Sequence, residues 1–200
     1  MTARNQGCAL VIGAALLVPA TARAHLVNSG LGPFYDGVSH FALTLEDLLP
    51  ALALALLAGQ RGAATGRAIL FALPAAWLLG GFAGLTWPTT SSATGLTTVS
   101  FLVLGGLVAA EARLRPALVI GLATGLGLFH GYLNGSAMAH ARLGALGLAG
   151  IVTTLAVLVA LGAARVVAVR VAWGRIAVRV AGSWIAAIGL LSLGWSLRGG

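Results

Sequence analysis

Residues that could bind a cation occupy two short segments of an otherwise apolar chain. The segment DGVSHFALTLEDLLP carries Asp36, His40, Glu46 and Asp47, and the segment FHGYLNGSAMAH carries His130. Imidazole nitrogens suit nickel, copper, zinc and related ions, whereas carboxylate and carbonyl oxygens suit harder ions. Because the set mixes nitrogen and oxygen and contains no sulfur, it predicts a site for a divalent transition metal.

The elements that must position these residues are membrane helices. The chain of 200 residues is 59% hydrophobic and 8% charged, whereas a soluble domain has about a quarter charged residues. Long apolar stretches recur, and a helical span needs about 20 residues. We therefore predict an all-α, polytopic membrane helix bundle, in which buried carboxylates mark a functional site. The net charge of +8 comes from arginines between apolar segments, which indicates membrane topology rather than nucleic-acid binding.

The first 24 residues have the pattern of a secretory signal peptide. Arg4 precedes the apolar run CALVIGAALLVPA, and Ala22-Arg23-Ala24 fits the small-x-small cleavage pattern. An uncleaved first helix is the alternative. We predict a signal peptide over 1–24 and a transmembrane domain over 25–200. Cleavage makes His25 the N-terminus, where its free amine and imidazole form a compact metal chelator, and it removes the single cysteine, which excludes thiolate metal sites.

Hydropathy and helix breakers predict six spans in the mature chain. They cover residues 38–58, 67–86, 93–110, 116–134, 145–164 and 176–197. The connecting segments are short, so neighbouring helices should pack antiparallel.

Arginines predict the orientation of this bundle. Two arginines lie in segments predicted to be outside, Arg142 and Arg198. Eight lie in segments predicted to be cytoplasmic, namely Arg61, Arg67, Arg113, Arg115, Arg165, Arg170, Arg175 and Arg179. Cytoplasmic loops of membrane proteins carry an excess of Lys and Arg. We therefore predict a bacterial inner-membrane protein with both mature termini in the periplasm.

Helix geometry predicts how deep the polar residues lie. With a rise of about 1.5 Å per residue, Glu46 and Asp47 lie about 10 Å deeper than His40, and His130 about 6 Å below a helix end at Asn134. Two helices thus bring histidine and carboxylate to similar depth. In a straight helix, His40 and Asp47 share a face but are about two turns apart, too far to bind one ion together.

Further residues extend the candidate set. Pro50 leaves the carbonyl of Glu46 without its helical donor, which predicts either an ordinary kink or an oxygen ligand. The candidate metal set also includes Asp36, Asn134 and His140. Asn134 lies on the same helix face as His130. His140 lies with Met138 in a predicted outer loop, and a plain solvated loop is the alternative for it.

Glycine repeats every four residues along the fourth predicted helix, at Gly127, Gly131 and Gly135. Such a small-residue face allows close helix contact in lipid. We predict a packing role for these glycines and no catalytic role.

The signal peptide, an exposed histidine, GPFYDGVSHFALTLEDLL and the later FHGYLNG resemble the HupE/UreJ family. These small bacterial membrane proteins are associated with hydrogenase and urease maturation and are regarded as nickel or cobalt permeases. The family's first helix typically reads histidine, five residues, then aspartate-histidine. His40 matches the first histidine, Glu46 stands where aspartate is usual, and Asp47 replaces the second histidine. His130 and Gly131 match a later histidine-glycine pair.

The resemblance implies a nickel or cobalt permease, although the added carboxylate makes the site harder and leaves other divalent ions or proton coupling open. We predict no enzyme activity and no permanently bound cofactor. The expected partners are the bilayer, the metal ion and urease or hydrogenase maturation proteins, with no nucleic acid.

Three alternatives remain at this point. The first is a non-transporting accessory or scaffold protein. The second is a haem carrier with His40 and His130 as axial ligands, and the third is a hydrolase that uses Ser136 and His140 in a glycine-flanked loop.

Overall fold

Seven helices account for most of the residues that the computed structural model describes, which are 29–91 and 93–198. In chain order they are α1 (Pro33–Leu43), α2 (Leu45–Gln60), α3 (Ala63–Thr86), α4 (Thr94–Ala109), α5 (Pro116–His140), α6 (Gly144–Ala168) and α7 (Ala172–Arg198). No strand occurs within these two ranges. The predicted signal peptide and His25 lie outside them.

Four of these helices, α3, α5, α6 and α7, are long and apolar enough to cross a membrane one by one. Helices α1 and α2 pass the same test together and are bent by 72° at the break between them, which gives up to five spans. Helix α4 has 16 residues and is about 24 Å long, shorter than the hydrocarbon core of about 30 Å. The described residues are thus those of an all-helical membrane protein and contain four to five candidate spans, and the predicted number of six is not confirmed.

The first predicted span is broken at Thr44, so the expectation of one straight helix over 38–58 is wrong. Thr44 has φ −88° and ψ 96°, an extended conformation. Close packing of α1 on α6 gives a physical reason for the break: a Cβ on Gly37 would overlap the backbone of Gly147, and one on Gly150 would overlap the backbone of Phe34. This contact holds α1 along α6, while α2 turns into the bundle and buries its own apolar face.

Helices α3 and α5 form the most extensive contact among the described helices and run parallel to each other, since successive glycines of α5 meet successive turns of α3 in the same chain direction. Gly127 lies against Leu73 and Gly135 against Gly81, with Gly131 between them, and a Cβ on any of these three α5 glycines would overlap α3. The small side chains therefore allow backbone contact between the two helices. Because α3 and α5 are parallel, the segment between them, which includes α4, must return along the length of the pair.

One end of the bundle is strongly basic. The side-chain amide of Gln60 donates to the carbonyl of Val108 at 3.1 Å, and Nε of Arg179 donates to the carbonyl of Ala109 at 2.9 Å. These bonds place the end of α2, the end of α4 and the start of α7 side by side. The eight arginines predicted to be cytoplasmic therefore lie at this end, which we call the basic end, and Arg142 lies at the opposite end.

Helix α5 continues to His140, which corrects the predicted helix end at Asn134 and the predicted loop after it. Ser136 and Met138 are buried helix residues. The reason is the α3 contact, because Gly135 packs against the backbone of Gly81 and thus belongs to a helix interface rather than a turn. The glycine-flanked loop of the hydrolase hypothesis is not formed, and the Ser136 hydroxyl donates to the carbonyl of Tyr132 at 3.0 Å.

Candidate functional site

Asp47 and His130 form a buried pair in the interior of the bundle. Nδ1 of His130 lies 2.8 Å from Oδ1 of Asp47, and His130 is 0% exposed. The side-chain amide of Asn134 donates to Oδ2 of Asp47 at 2.9 Å and to the carbonyl of His130, also at 2.9 Å. Helix α5 therefore provides a partner for each carboxylate oxygen.

The break at Thr44 explains why a carboxylate is tolerated at this depth. Asp47 lies in the first turn of α2, so the break places a helix N-terminus inside the bundle. Free N–H groups and the helix dipole at an N-terminus stabilise an anion by about 0.3–1 kcal/mol, and by up to about 2 kcal/mol where it is partly buried. Interrupted membrane helices that end near the bilayer midplane form the ion and substrate sites of many transporters.

Around this pair, three buried polar atoms have no hydrogen-bond partner among the described residues. They are Nε2 of His130, Oδ1 of Asn134 and Nε1 of Trp77. The Trp77 ring lies over the His130 ring, with centroids 5.5 Å apart and planes at 33°. In the neutral tautomer that donates Nδ1–H to the Asp47 carboxylate, Nε2 of His130 keeps a lone pair. Buried polar atoms are normally bonded, so these atoms are available to a ligand.

His40 reaches the same group from α1. Its half-buried imidazole lies near the side chains of Asn134 and Asp47. The expectation that His40 and Asp47 are too far apart assumed a straight helix, and the bend at Thr44 removes that assumption. The structure thus brings together His40, Asp47, His130 and Asn134 from α1, α2 and α5.

The group is a hydrogen-bonded network rather than a preformed metal cage. Within residues 29–91 and 93–198, no three His, Cys, Asp or Glu side chains are placed so that they could hold one metal ion. A cation could gain the Asp47 carboxylate and the His130 imidazole together only if their mutual hydrogen bond opens.

Glu46 faces a different space from its neighbour Asp47. It is exposed and lines a pocket of about 440 Å³ at the end opposite the basic end. The pocket lies between α2, α4 and α5, and residues 89–91 and Ala93, which precede α4, also line it. Its other polar lining residues include Thr94, Thr97, Ser136 and His140.

The remaining predicted site residues lie apart from the buried group. Asp36, in the first turn of α1, accepts hydrogen bonds from the backbone N–H and the hydroxyl of Ser29, both at 2.6 Å. His140 ends α5, and its Nε2 lies 3.2 Å from the carbonyl of Thr89. His25 is outside the described residues.

Sequence reasoning missed Trp77, which packs on the imidazole of His130. The signal was present, because an indole N–H in an apolar span needs a partner, and Trp77 lies in the middle of α3. The same packing bears on the haem hypothesis: His130 is fully buried under Trp77, so a porphyrin has no room beside its ring in this arrangement.

One of the comparisons with known proteins identifies a family for the chain. No curated protein and no solved structure is detectably similar to the chain. A family model described as HupE / UreJ protein matches residues 13–192, which is most of the sequence. The chain belongs to the HupE/UreJ family.

Proposed function

We propose that this protein is a permease for a divalent transition metal ion, with nickel or cobalt as the cargo. The observation that carries the proposal is the group of buried Asp47, His130 and Asn134, with half-buried His40 beside it, at a break in a membrane span. Intramembrane carboxylates that face a bundle interior typically lie on ion pathways. Membership of the HupE/UreJ family supports a link to urease or hydrogenase maturation.

The donor atoms suit transient binding of such an ion. Asp47 supplies a negative charge, His130 and His40 supply imidazole nitrogens, and Asn134 supplies an amide oxygen. The carbonyl of Glu46 is a further oxygen, since Pro50 cannot donate to it. This mixed nitrogen and oxygen set fits a divalent transition metal. An ion that takes both the Asp47 carboxylate oxygen and Nδ1 of His130 as ligands must open their hydrogen bond, and this cost weakens its binding enough for release, as transport requires.

We propose that the basic end faces the cytoplasm of a bacterial inner membrane, in line with the positive-inside rule. His130 lies ten residues before the end of α5, so the buried group is about 15 Å from that end and close to the bilayer midplane. The parallel arrangement of α3 and α5 supports α4 as a return crossing. Six crossings, a cleaved signal peptide and periplasmic mature termini complete the proposed topology.

Uptake of radioactive nickel and cobalt tests the permease proposal. Cells without their own uptake systems would express the wild type, Asp47→Asn or the control Glu111→Gln, each quantified in the membrane fraction. Asp47→Asn removes the buried charge and keeps the side-chain shape, and we expect it to lower uptake at least tenfold. Glu111→Gln removes a carboxylate near the basic end and should retain wild-type uptake. Wild-type uptake equal to that of an empty vector, or equal uptake by wild type and Asp47→Asn, would refute the permease proposal.

The lack of a preformed three-ligand group in the described residues favours a second candidate, a non-transporting accessory protein of metalloenzyme maturation. This candidate is separated from the first by measuring urease or hydrogenase activity in the same cells. An accessory protein should restore that activity without any metal uptake, and Asp47→Asn should leave the restored activity unchanged.

A further inference from the structure

We propose that the pocket lined by Glu46 and His140 captures a hydrated divalent cation before the ion reaches the buried group. This inference rests on the proposed permease function and assigns Glu46 and Asp47 to two separate sites. We call the pocket the outer vestibule.

Helix geometry separates the two acidic side chains. Consecutive residues point about 100° apart around a helix axis, and this rotation turns Asp47 towards α5 and Glu46 towards the vestibule. Asp47 is 5% exposed, whereas Glu46 is exposed and lies among hydroxyl groups. One carboxylate is therefore dehydrated and bonded, and the other is available to water and to ions.

The size and lining of the vestibule suit an ion that keeps its water shell. A volume of about 440 Å³ holds on the order of ten water molecules, each with a share of about 30 Å³. The lining offers the carboxylate of Glu46 and the hydroxyl-bearing residues Thr90, Thr94 and Thr97. Such groups bind the water shell of a divalent ion through hydrogen bonds, without replacing it.

His140 lines this space and can provide a nitrogen acceptor there. The carbonyl of Thr89 can only accept a hydrogen bond, so Nε2 of His140, 3.2 Å away, is the donor. In the neutral imidazole, Nδ1 then keeps a lone pair, and a carbonyl on the opposite ring nitrogen is the arrangement seen behind metal-binding histidines. A neutral imidazole of this kind attracts a cation or its bound water and does not repel it.

The segment that contains Trp87 and Thr89, beside the vestibule, is hydrogen-bonded to α5, so the site exists before any ion arrives. The backbone N–H of Thr89 donates to the hydroxyl of Ser136 at 3.2 Å, and the hydroxyl of Tyr132 donates to the carbonyl of Trp87 at 2.8 Å. An ion held beside Glu46 is next to the first turn of α2, where Asp47 lies. The ion exchanges its waters for direct ligands between these two positions.

Uptake kinetics distinguish this capture role from a role in the buried group. The test measures KM and Vmax for nickel in cells that express wild type, Glu46→Gln, His140→Gln, Glu111→Gln or Asp47→Asn. A unit charge that faces a divalent ion across one water layer changes affinity by about tenfold. We expect Glu46→Gln to raise KM about tenfold and His140→Gln to raise it about threefold, both with Vmax retained. Asp47→Asn should instead lower Vmax.

Ionic strength provides a second measurement on the same variants. A water-separated charge interaction is screened by salt, so KM of the wild type should rise with sodium chloride, while KM of Glu46→Gln should change less.

Each failure has its own pattern in this experiment. Absence of wild-type uptake would refute the permease proposal itself. Wild-type uptake with an unchanged KM in both Glu46→Gln and His140→Gln would refute the vestibule alone. A fall in Vmax at unchanged KM in Glu46→Gln would place Glu46 in the buried group with Asp47, and it would also overturn the inference.

Discussion

Neighbouring carboxylates in this protein should differ sharply in what they contribute to stability. Replacing Asp47 with alanine leaves Nδ1 of His130 and the amide of Asn134 without the acceptors that they contact at 2.8 and 2.9 Å. Each buried polar group left without its partner costs about 1–3 kcal/mol. We expect Asp47→Ala to lower the free energy of unfolding by about 3 kcal/mol. Glu46→Ala, one residue away but exposed, should change it by less than about 0.5 kcal/mol.

The assay is reversible unfolding in mixed micelles, followed by the far-UV circular dichroism of the helices. A double-mutant cycle with Asp47→Ala and His130→Ala isolates their interaction. Hydrogen bonds between membrane helices average about 0.6 kcal/mol in such cycles and reach about 1.7 kcal/mol. Because this pair is buried and charge-assisted, we expect a coupling of about 1.5 kcal/mol. Additive single effects, or equal losses for Asp47→Ala and Glu46→Ala, would refute the argument that the buried pair stabilises the fold.

Two further predictions concern the packing and the orientation of the bundle. Gly131→Ala should lower the free energy of unfolding by about 1–3 kcal/mol, because the added Cβ overlaps the α3 backbone. Gly125→Ala adds a Cβ that meets open space, so it should raise the free energy of unfolding by up to about 1 kcal/mol. A similar response in both variants would contradict the α3–α5 contact. In a Cys8→Ser background, a membrane-impermeant thiol reagent applied to intact cells should label Arg142→Cys and spare Arg113→Cys. Labelling of both from outside would contradict the proposed orientation.

Hydropathy predicted most of the helical architecture, since apolar segments long enough to span a membrane can hardly adopt another structure. It did not predict the break at Thr44. Pro50, three residues after HFALTLED, indicates a kink, but no glycine or proline within this segment marks a break at Thr44. The break depends on α1 packing against α6 through Gly37 and Gly150, a contact between residues far apart in sequence. Local propensity carries no information on such a contact.

The extent of α5 was missed for a related reason. Asn134, Gly135 and Ser136 favour turns in water, but in this bundle they face α3 and Asp47, and the helix continues through them. The later helix end moves His130 from a sequence-based depth of about 6 Å to about 15 Å below the end of α5. The depth estimate from the sequence did place His130 and Asp47 at similar depth in the membrane. Their direct contact depends on how the helices are rotated, which hydropathy does not determine.

The departure of this chain from the family pattern has a structural reason that can be tested at Asp47. The resemblance to HupE/UreJ proteins implies a histidine at this position. In this structure the residue must accept from both His130 and Asn134, and a neutral imidazole offers a single acceptor nitrogen. Asp47→His should therefore lower stability by about 1–3 kcal/mol. Adding Asn134→Asp should recover part of the loss, since it returns a carboxylate to the pair.

The same substitution should change which ion is preferred. A carboxylate favours harder ions such as manganese, whereas an imidazole favours nickel. Nickel uptake in the presence of excess manganese should be more resistant to inhibition in Asp47→His than in the wild type, by on the order of tenfold, or about 1.4 kcal/mol. The ratio of the two inhibition constants is the measurement, and the control Glu111→Gln should match the wild type. Equal ratios in wild type and Asp47→His would mean that Asp47 does not contact the ion, and its burial would then serve only the pairing with His130.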